Sequence, residues 1–273
     1  MRLWMLGSGS RGNATVVECG DVRILIDAGF PARTLAQRML SVGVEPESIA
    51  HCIITHEHQD HCRGAGVAAR RWGWELHATS GTLAACPDLD GSRQSTITVG
   101  SAFRFGKLEL VAHRTPHDAA ASIALHLTSL GTGTRAGIAY DLGSVPDSIC
   151  DAFEGVDILV AEANHDPDML RNGPYPFVVQ KRIASRTGHL SNGACADFVR
   201  RCAGRATSRV VLAHMSEKCN EPGVAHAEVS NGLRGKRFRG TLSVASQDQV
   251  LGPIVPGLQG SVAVAGGQFE LGL

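Results

Sequence analysis

The sequence predicts an α/β fold in which two β-sheets pack face to face with helices on the outside. Three observations support that expectation. The chain divides into two βαβ-containing halves, each strand-rich at its start and helical towards its end, with no linker or repeat between them. Its hydrophobic fraction of 43% over 273 residues supplies a full core. Branched and apolar runs bounded by glycine-bearing turns recur in both halves, as strands require.

The first half opens with three strands, "RLWML", "ATVVEC" and "VRILIDAG". "PARTLAQRMLSVG" begins with proline and ends with glycine, which predicts a helix carrying Leu35, Met39 and Leu40 on one face. It leads into a strand over "IAHCIITHEH", a helix over "CRGAGVAARRWG" and a strand over "WELHATS". Strands dominate again from Ile97 to Tyr140, in "SAFRFGKLELVAHRTPH", "ASIALHLTS" and "TRAGIAYDLG". Beyond Pro146 the strands "DILVAEAN" and "RVVLAHMS" alternate with the helical patterns "SNGACADFVRRCAG" and "GVAHAEVSNGLRGK". One domain over residues 1–250 is expected, followed at 251–273 by a glycine-rich terminal strand pair or loose tail.

Charge is balanced, with 26 basic and 26 acidic residues, so the whole chain favours no charged partner. Locally it is uneven. Between Arg171 and Arg209 eight basic residues (Arg171, Lys181, Arg182, Arg186, Arg200, Arg201, Arg205, Arg209) face one acid, Asp197, and Arg234, Lys236, Arg237 and Arg239 form a second run. Residues 141–170 carry only acids. A basic stretch of this kind suits a phosphate backbone, although most charge runs are solvated faces. The N-terminal apolar run is too short for a signal peptide, and no stretch approaches the roughly 18 apolar residues of a membrane span, so a cytoplasmic protein is expected. Eight cysteines without a C-x-x-C pair read as reduced thiols rather than a disulfide frame.

Gly7, Gly9 and Gly12 fit the G-x-G-x-x-G dinucleotide fingerprint, but the β-branched "ATVVEC" that follows predicts a strand, and without a helix N-terminus no pyrophosphate site forms. The segment reads instead as a tight connection that brings Ser8, Ser10 and Asn13 to the border of a site.

That site is announced by "THEHQDH", residues 55–61. In an extended chain His56 and His58 point to one side and Glu57 to the other, with Asp60 and His61 in the following turn. Imidazole and carboxylate groups at this density suit two adjacent divalent ions, for which His117, Asp141 and His214, each at or just after a predicted strand, offer further donors. Zinc and manganese both accept such donors.

This pattern resembles the metallo-β-lactamase fold superfamily, a four-layer αββα sandwich with a dinuclear site at one edge of its sheets. The resemblance implies His56, His58 and His117 as ligands of a first metal and Asp60, His61 and His214 as ligands of a second. Asp141 would bridge the two, and Asp27 would accept a hydrogen bond from a ligating imidazole. Within the superfamily the chain most resembles the YycJ/WalJ-like group of double-stranded DNA 5′ to 3′ exonucleases. The shared landmarks are "GSGSRGNATVVE", "ILIDAG", "THEHQDHCRG", "HDAA", "NHDPDMLRNGPYP", "KRI", "GHLSNGACADF" and "LAHMSEKCN". The chain departs from the group's pattern at "AYDLG", which lacks a threonine before the aspartate, and at "HMSEKCN".

The resemblance thus implies a metal-dependent phosphodiesterase acting on nucleic acid, DNA in preference to RNA, with a metal-bridging hydroxide as nucleophile and Asp60 orienting it. His189 matches the histidine proposed to protonate the leaving oxygen in tRNase Z, and otherwise reads as a cap of the helix that Ser191 begins. His165 is read as structural. An RNA nuclease of the tRNase Z kind and a small-molecule thioesterase or cyclic phosphodiesterase are the alternative activities.

Overall fold

The computed structural model of the protein describes residues 1–257. Two seven-stranded sheets make its centre. The first comprises β1 (Arg2–Gly7), β2 (Ala14–Cys19), β3 (Val22–Ile26), β4 (His51–Ile53), β5 (Glu75–Ala78) and β6 (Arg93–Thr96), with the last strand of the chain, β14 (Leu251–Ile254), at its outer edge beside β1. The second runs in space from β7 (Ala102–Phe105) through β8 (Leu108–Arg114), β9 (Ile123–Ser129), β10 (Arg135–Ala139), β11 (Ile158–Glu162) and β12 (Arg209–Ala213) to β13 (Thr241–Val244).

Both sheets follow one plan. Strands joined by short turns pair antiparallel (β1 to β3, β7 to β10), and strands joined through helices pair parallel (β3 to β6, β10 to β13). The helices α1 (Ala32–Leu40), α2 (Gln59–Cys62), α3 (Ala65–Trp72) and α4 (Ser80–Ala85) belong to the first half of the chain. Those of the second half are α5 (Asp147–Phe153), α6 (Pro167–Arg171), α7 (Phe177–Ile183), α8 (Asn192–Cys202) and α9 (Pro222–Gly232).

Strand periodicity explains the four layers. Leu3, Met5, Ile24 and Ile26 meet Leu125, Ile138, Ile158 and Val160 in a core between the sheets. Their neighbours Trp4, Leu6 and Leu25 face the other way, against α1 and α3, and Leu159, Ala161, Val210 and Leu212 pack on α5 and α8. Three apolar cores separating four layers make an αββα sandwich, as the sequence predicts.

Local differences have physical reasons. Leu35 and Met39 are buried, but Leu40 is half exposed, because the last residue of α1 is rotated off the face that the other two share. The expected strand over "IAHCIITHEH" pairs only at His51–Ile53; the chain then leaves the sheet, freeing the histidines to converge. The helix expected over residues 62–73 forms as α3, Ala65–Trp72, and is preceded by the single turn of α2 inside the histidine cluster. Within the expected terminal segment, Leu251–Ile254 forms the strand β14, which pairs antiparallel with β1. The remainder of the expected terminal strand pair, residues 258–273, lies outside the described residues. No helix among the described residues is long and apolar enough to cross a membrane.

Candidate metal centre

Three strands end on a side chain of the site, and each turns there through the left-handed region: Asp27 after β3 (φ 59°), Asp141 just beyond β10 (φ 56°) and His214 after β12 (φ 51°). Aspartate and histidine tolerate this conformation better than branched residues, and non-glycine residues held there gather at functional sites. The turn at each strand end aims a donor at one point between the sheets' edges.

The segment Thr55–His61 is fixed from below. The Asp27 carboxylate, fully buried, accepts from the Thr55 N–H at 2.8 Å, the Thr55 hydroxyl at 2.9 Å and His61 Nδ1 at 2.7 Å. His61 Nε2 is thereby turned towards the centre. Asn13 N–H donates to the Asp60 carbonyl at 2.7 Å and Ala28 N–H to the His61 carbonyl at 2.7 Å. This approach needs glycine at position 29, where a Cβ would lie 1.7 Å from the Asp60 carbonyl oxygen. Glu57 turns away and accepts from the Ala120 N–H.

His56, His58 and His117 present ring nitrogens within 4.8 Å of one another. His117 donates from Nδ1 to the Gly188 carbonyl at 3.0 Å, so its Nε2 faces His58 Nδ1 at 3.2 Å. Asp60, His61 and His214 form a second such group, with Asp60 Oδ2 3.4 Å from His61 Nε2 and 3.2 Å from His214 Nε2. Asp141 stands between the groups: its Oδ2 is 3.7 Å from His56 Nε2 and 2.7 Å from His61 Nε2, and its Oδ1 is 3.2 Å from His214 Nδ1. The structure therefore brings all seven predicted ligands together.

The chemistry of these donors fits cations. His56 Nε2 and Asp141 Oδ2 are buried without a hydrogen-bond partner among the described residues. His61 Nε2 lies 2.7 Å from Asp141 Oδ2, and although burial opposes its charge, Asp60, Asp141 and Asp27 raise the His61 pKa well above the ordinary value in the metal-free protein. Buried acceptors cost roughly 1–3 kcal/mol each when unpaired, which divalent cations among them relieve. The protonation balance agrees. Burial opposes ionisation of Asp141, yet His214 and His61 hold its carboxyl well below the usual range, and His61 does the same for Asp60. Burial likewise opposes charge on His214, but Asp141, Asp60 and Glu162 raise its pKa to about 9. His56, buried and beside His61, is pushed well below the ordinary value.

His189 belongs to the site and not to the helix cap. Ser191 caps α8, its hydroxyl accepting from the Ala194 N–H. The His189 Nδ1 lies 2.8 Å from Glu162 Oε1 and 3.1 Å from Asp141 Oδ1, and its ring stacks on that of His214. Burial disfavours its charge, but Glu162 and Asp141 raise its pKa well above the ordinary value. The side chain lines a cavity of about 250 Å³ shared with Ser10, His58, Asp60, Tyr175 and Arg182.

Glu162 is the residue that sequence reasoning missed. Fully buried at the end of β11, it accepts from the Leu142 N–H at 2.7 Å and the Leu190 N–H at 3.3 Å, and its Oε1 meets both His189 and His214, the latter at 3.0 Å. The signal was present in "DILVAEAN", where one acid closes an otherwise apolar strand as Asp27 closes "ILID". Ser8 and Asn13 border the site as expected: Ser8 Oγ accepts from the His214 N–H at 2.8 Å, and Asn13 Nδ2 lies 3.1 Å from His61 Nε2. His165 is buried and bridges to Ser191 at the start of α8, and its Nδ1 has no hydrogen-bond partner among the described residues. The basic stretch does not form one surface. Arg182 lines the cavity, whereas Arg200 and Arg201 lie in the last turn of α8, at the end away from His189, bonded to Gly232 and Arg234 carbonyls and to Asp147.

An αββα frame with these donors at the edge of its sheets defines a class, the metal-dependent hydrolases of the metallo-β-lactamase fold. The chain belongs to the beta-lactamase superfamily, whose domain model matches residues 22–215, and within it to the YycJ/WalJ-like group. It is 32% identical over 235 residues to exodeoxyribonuclease WalJ of Streptococcus pneumoniae, covering 84% of this chain and 87% of that protein. Exodeoxyribonuclease YycJ of Bacillus anthracis is 30% identical over 240 residues, covering 86% and 89%. Among solved structures, the metallo-beta-lactamase fold protein YhfI of Bacillus subtilis superposes with a TM-score of 0.70 at 16% identity, over 92% of this chain and 99% of that one. This last likeness is one of fold.

Proposed function

We propose that the protein is a phosphodiesterase that holds two divalent cations and degrades double-stranded DNA from the 5′ end. The reading rests chiefly on the convergence of seven donors around buried, unpaired acceptors. The names of the two relatives supply the substrate. His56, His58 and His117 would hold one cation, Asp60, His61 and His214 the other, and Asp141 would serve both. When bound, such a pair activates water at neutral pH and offsets charge on the phosphoryl oxygens, and zinc or manganese suits the donors.

The remaining roles fall to the chain itself. Asp60, partly open to the cavity and steadied by Asn13, orients the attacking water. His189, held at Nδ1 by Glu162, keeps Nε2 as its free nitrogen and delivers a proton to the departing sugar oxygen. Arg182, at the cavity wall, receives the phosphate backbone. A cytoplasmic setting, in which the eight free cysteines stay reduced, completes the proposal.

The test is incubation of purified protein with end-labelled duplex DNA, single-stranded DNA and structured RNA, supplied with Mn²⁺ or Zn²⁺. Stepwise loss of nucleotides from the 5′ end of duplex DNA is expected. Cleavage of RNA with duplex DNA left intact would transfer the proposal to an RNA nuclease of the tRNase Z kind. Turnover of thioesters or cyclic phosphodiesters alone would replace it with a small-molecule hydrolase.

A further inference from the structure

A second group of donors lies away from this centre. His51 opens β4 and Glu75 opens β5; they face each other in register, and His77 follows two residues on, beside Ile53. The alternation of the strands turns all three towards the second sheet, where Phe105 of β7 packs against both imidazoles. His51 and Glu75 stand at the starts of their strands, away from the site, while His77 lies level with Ile53, and none of the three is among the donors of the primary centre.

We propose that His51, Glu75 and His77 form a separate binding site for one divalent transition-metal cation of the zinc class. Their facing atoms make a closed triangle: His51 Nδ1 to His77 Nε2 is 3.0 Å, His51 Nδ1 to Glu75 Oε2 is 3.6 Å, and His77 Nε2 to Glu75 Oε2 is 3.9 Å. An ion holding tetrahedral ligands at 2.0–2.1 Å places them about 3.4 Å apart, within the range of these three edges. The Asp60, His61 and His214 donors of the primary centre show edges of the same length, 3.2 and 3.4 Å. A hydrogen bond between the two rings explains the shortest edge only; it does not explain why Glu75 turns one oxygen to both rings.

The protonation states suit a metal. Burial lowers the pKa of both imidazoles, His77 to about 4, so each is neutral at pH 7 and has a lone pair to give. The Ser95 hydroxyl donates to Glu75 Oε1 and holds the carboxyl below its ordinary range, so Oε2 is an anionic donor. His77 is buried, while the side chains of His51 and Glu75 remain 27% and 30% exposed, giving an ion a way in and water a fourth position. Two imidazoles and a carboxylate with one open position is a donor set that zinc accepts. Bound there, the ion ties β4 to β5.

The test counts metal. Full-length protein is stripped with chelator, titrated with Zn²⁺, freed of excess and analysed for bound zinc. The unaltered chain is expected to hold one more zinc per molecule than His51→Ala or His77→Ala, and Glu75→Gln to hold that zinc more weakly. The same difference of one is expected when the primary centre carries Asp141→Ala, which separates the two sites. Equal zinc counts in the unaltered chain and the His51 and His77 variants would overturn the proposal. So would crystals of the unaltered, zinc-loaded protein with no zinc-edge anomalous peak among the three side chains, an observation that needs no variant to fold.

Discussion

The two sheets build their halves of the metal centre differently. From the first sheet come His56, His58, Asp60 and His61, all on one short segment held by a single buried carboxylate, Asp27. From the second come Asp141 and His214, one per strand end, with His117 and His189 on neighbouring loops, and Glu162 joins His189 and His214. The two buried acids differ in charge balance. Burial raises the Asp27 pKa despite the nearby His61, whereas at Glu162, against the same effect of burial, His189 and His214 hold the pKa below the ordinary value. A local loop needs one anchor to orient it. Donors from separate strands need an anchor that reaches several of them at once.

The largest effects separate holding metal from using it. His58→Ala and Asp60→Ala are expected to lose bound metal and with it all detectable nuclease activity, measured by metal analysis beside turnover on duplex DNA. His189→Ala is expected to keep its metal and lose about 10²–10⁴-fold in kcat, the usual worth of a positioned acid. Equal metal loss in all three variants would make His189 a ligand and remove the acid from the scheme.

The anchors come next. Asp27→Asn is expected to weaken metal binding by about 10–100-fold, with activity recovered at saturating metal, because His61 is the one predicted ligand it touches. Glu162→Gln is expected to lower metal affinity similarly through His214, and to leave kcat reduced even at saturation, because it also holds His189. If added metal rescues both variants fully, the two halves are equivalent and the contrast between them fails.

Charge in the metal-free protein gives a smaller, pH-dependent effect. His214, with a pKa of about 9 in the folded chain, keeps a proton that an unfolded histidine of pKa about 6.5 releases. Its contribution to stability is therefore complete below about pH 6.5 and lost as pH rises through about 9. Urea unfolding of chelated protein at pH 6, 7.5 and 9 is expected to show midpoints falling over that window, and metal-loaded protein to show no such fall. A chelated protein that grows more stable with rising pH would contradict this balance.

The same contrast decides what could be read from the sequence. The heptapeptide at 55–61 was legible because its donors are contiguous, and the sandwich because strand alternation and helix spacing are local patterns. His117, Asp141 and His214 were legible as donors at or just after predicted strands, but which ion each would serve came only from the family resemblance, since nothing in their own neighbourhoods shows that they meet. Glu162 escaped because its partners come from three places in the chain, Leu142, His189–Leu190 and His214, and only the parallel order of β10, β11 and β12 brings them together. The basic stretch was legible as composition but not as a surface, because α8 separates Arg200 and Arg201 from the cavity by its own length.

That last point yields the smallest expected effect. Arg182, exposed at the cavity wall and paired with Asp118, is placed to meet a phosphate, whereas Arg200 is spent on backbone carbonyls at the far end of α8. Arg182→Ala is expected to weaken duplex DNA binding alike for all sequences and to reduce the slope of log affinity against log salt by about one. Arg200→Ala is expected to leave that slope unchanged. Binding measured by fluorescence anisotropy across a salt series distinguishes them. If the Arg200 variant shifts the slope and the Arg182 variant does not, DNA runs over α8 rather than past α7, and the path of the substrate across the second sheet has to be redrawn.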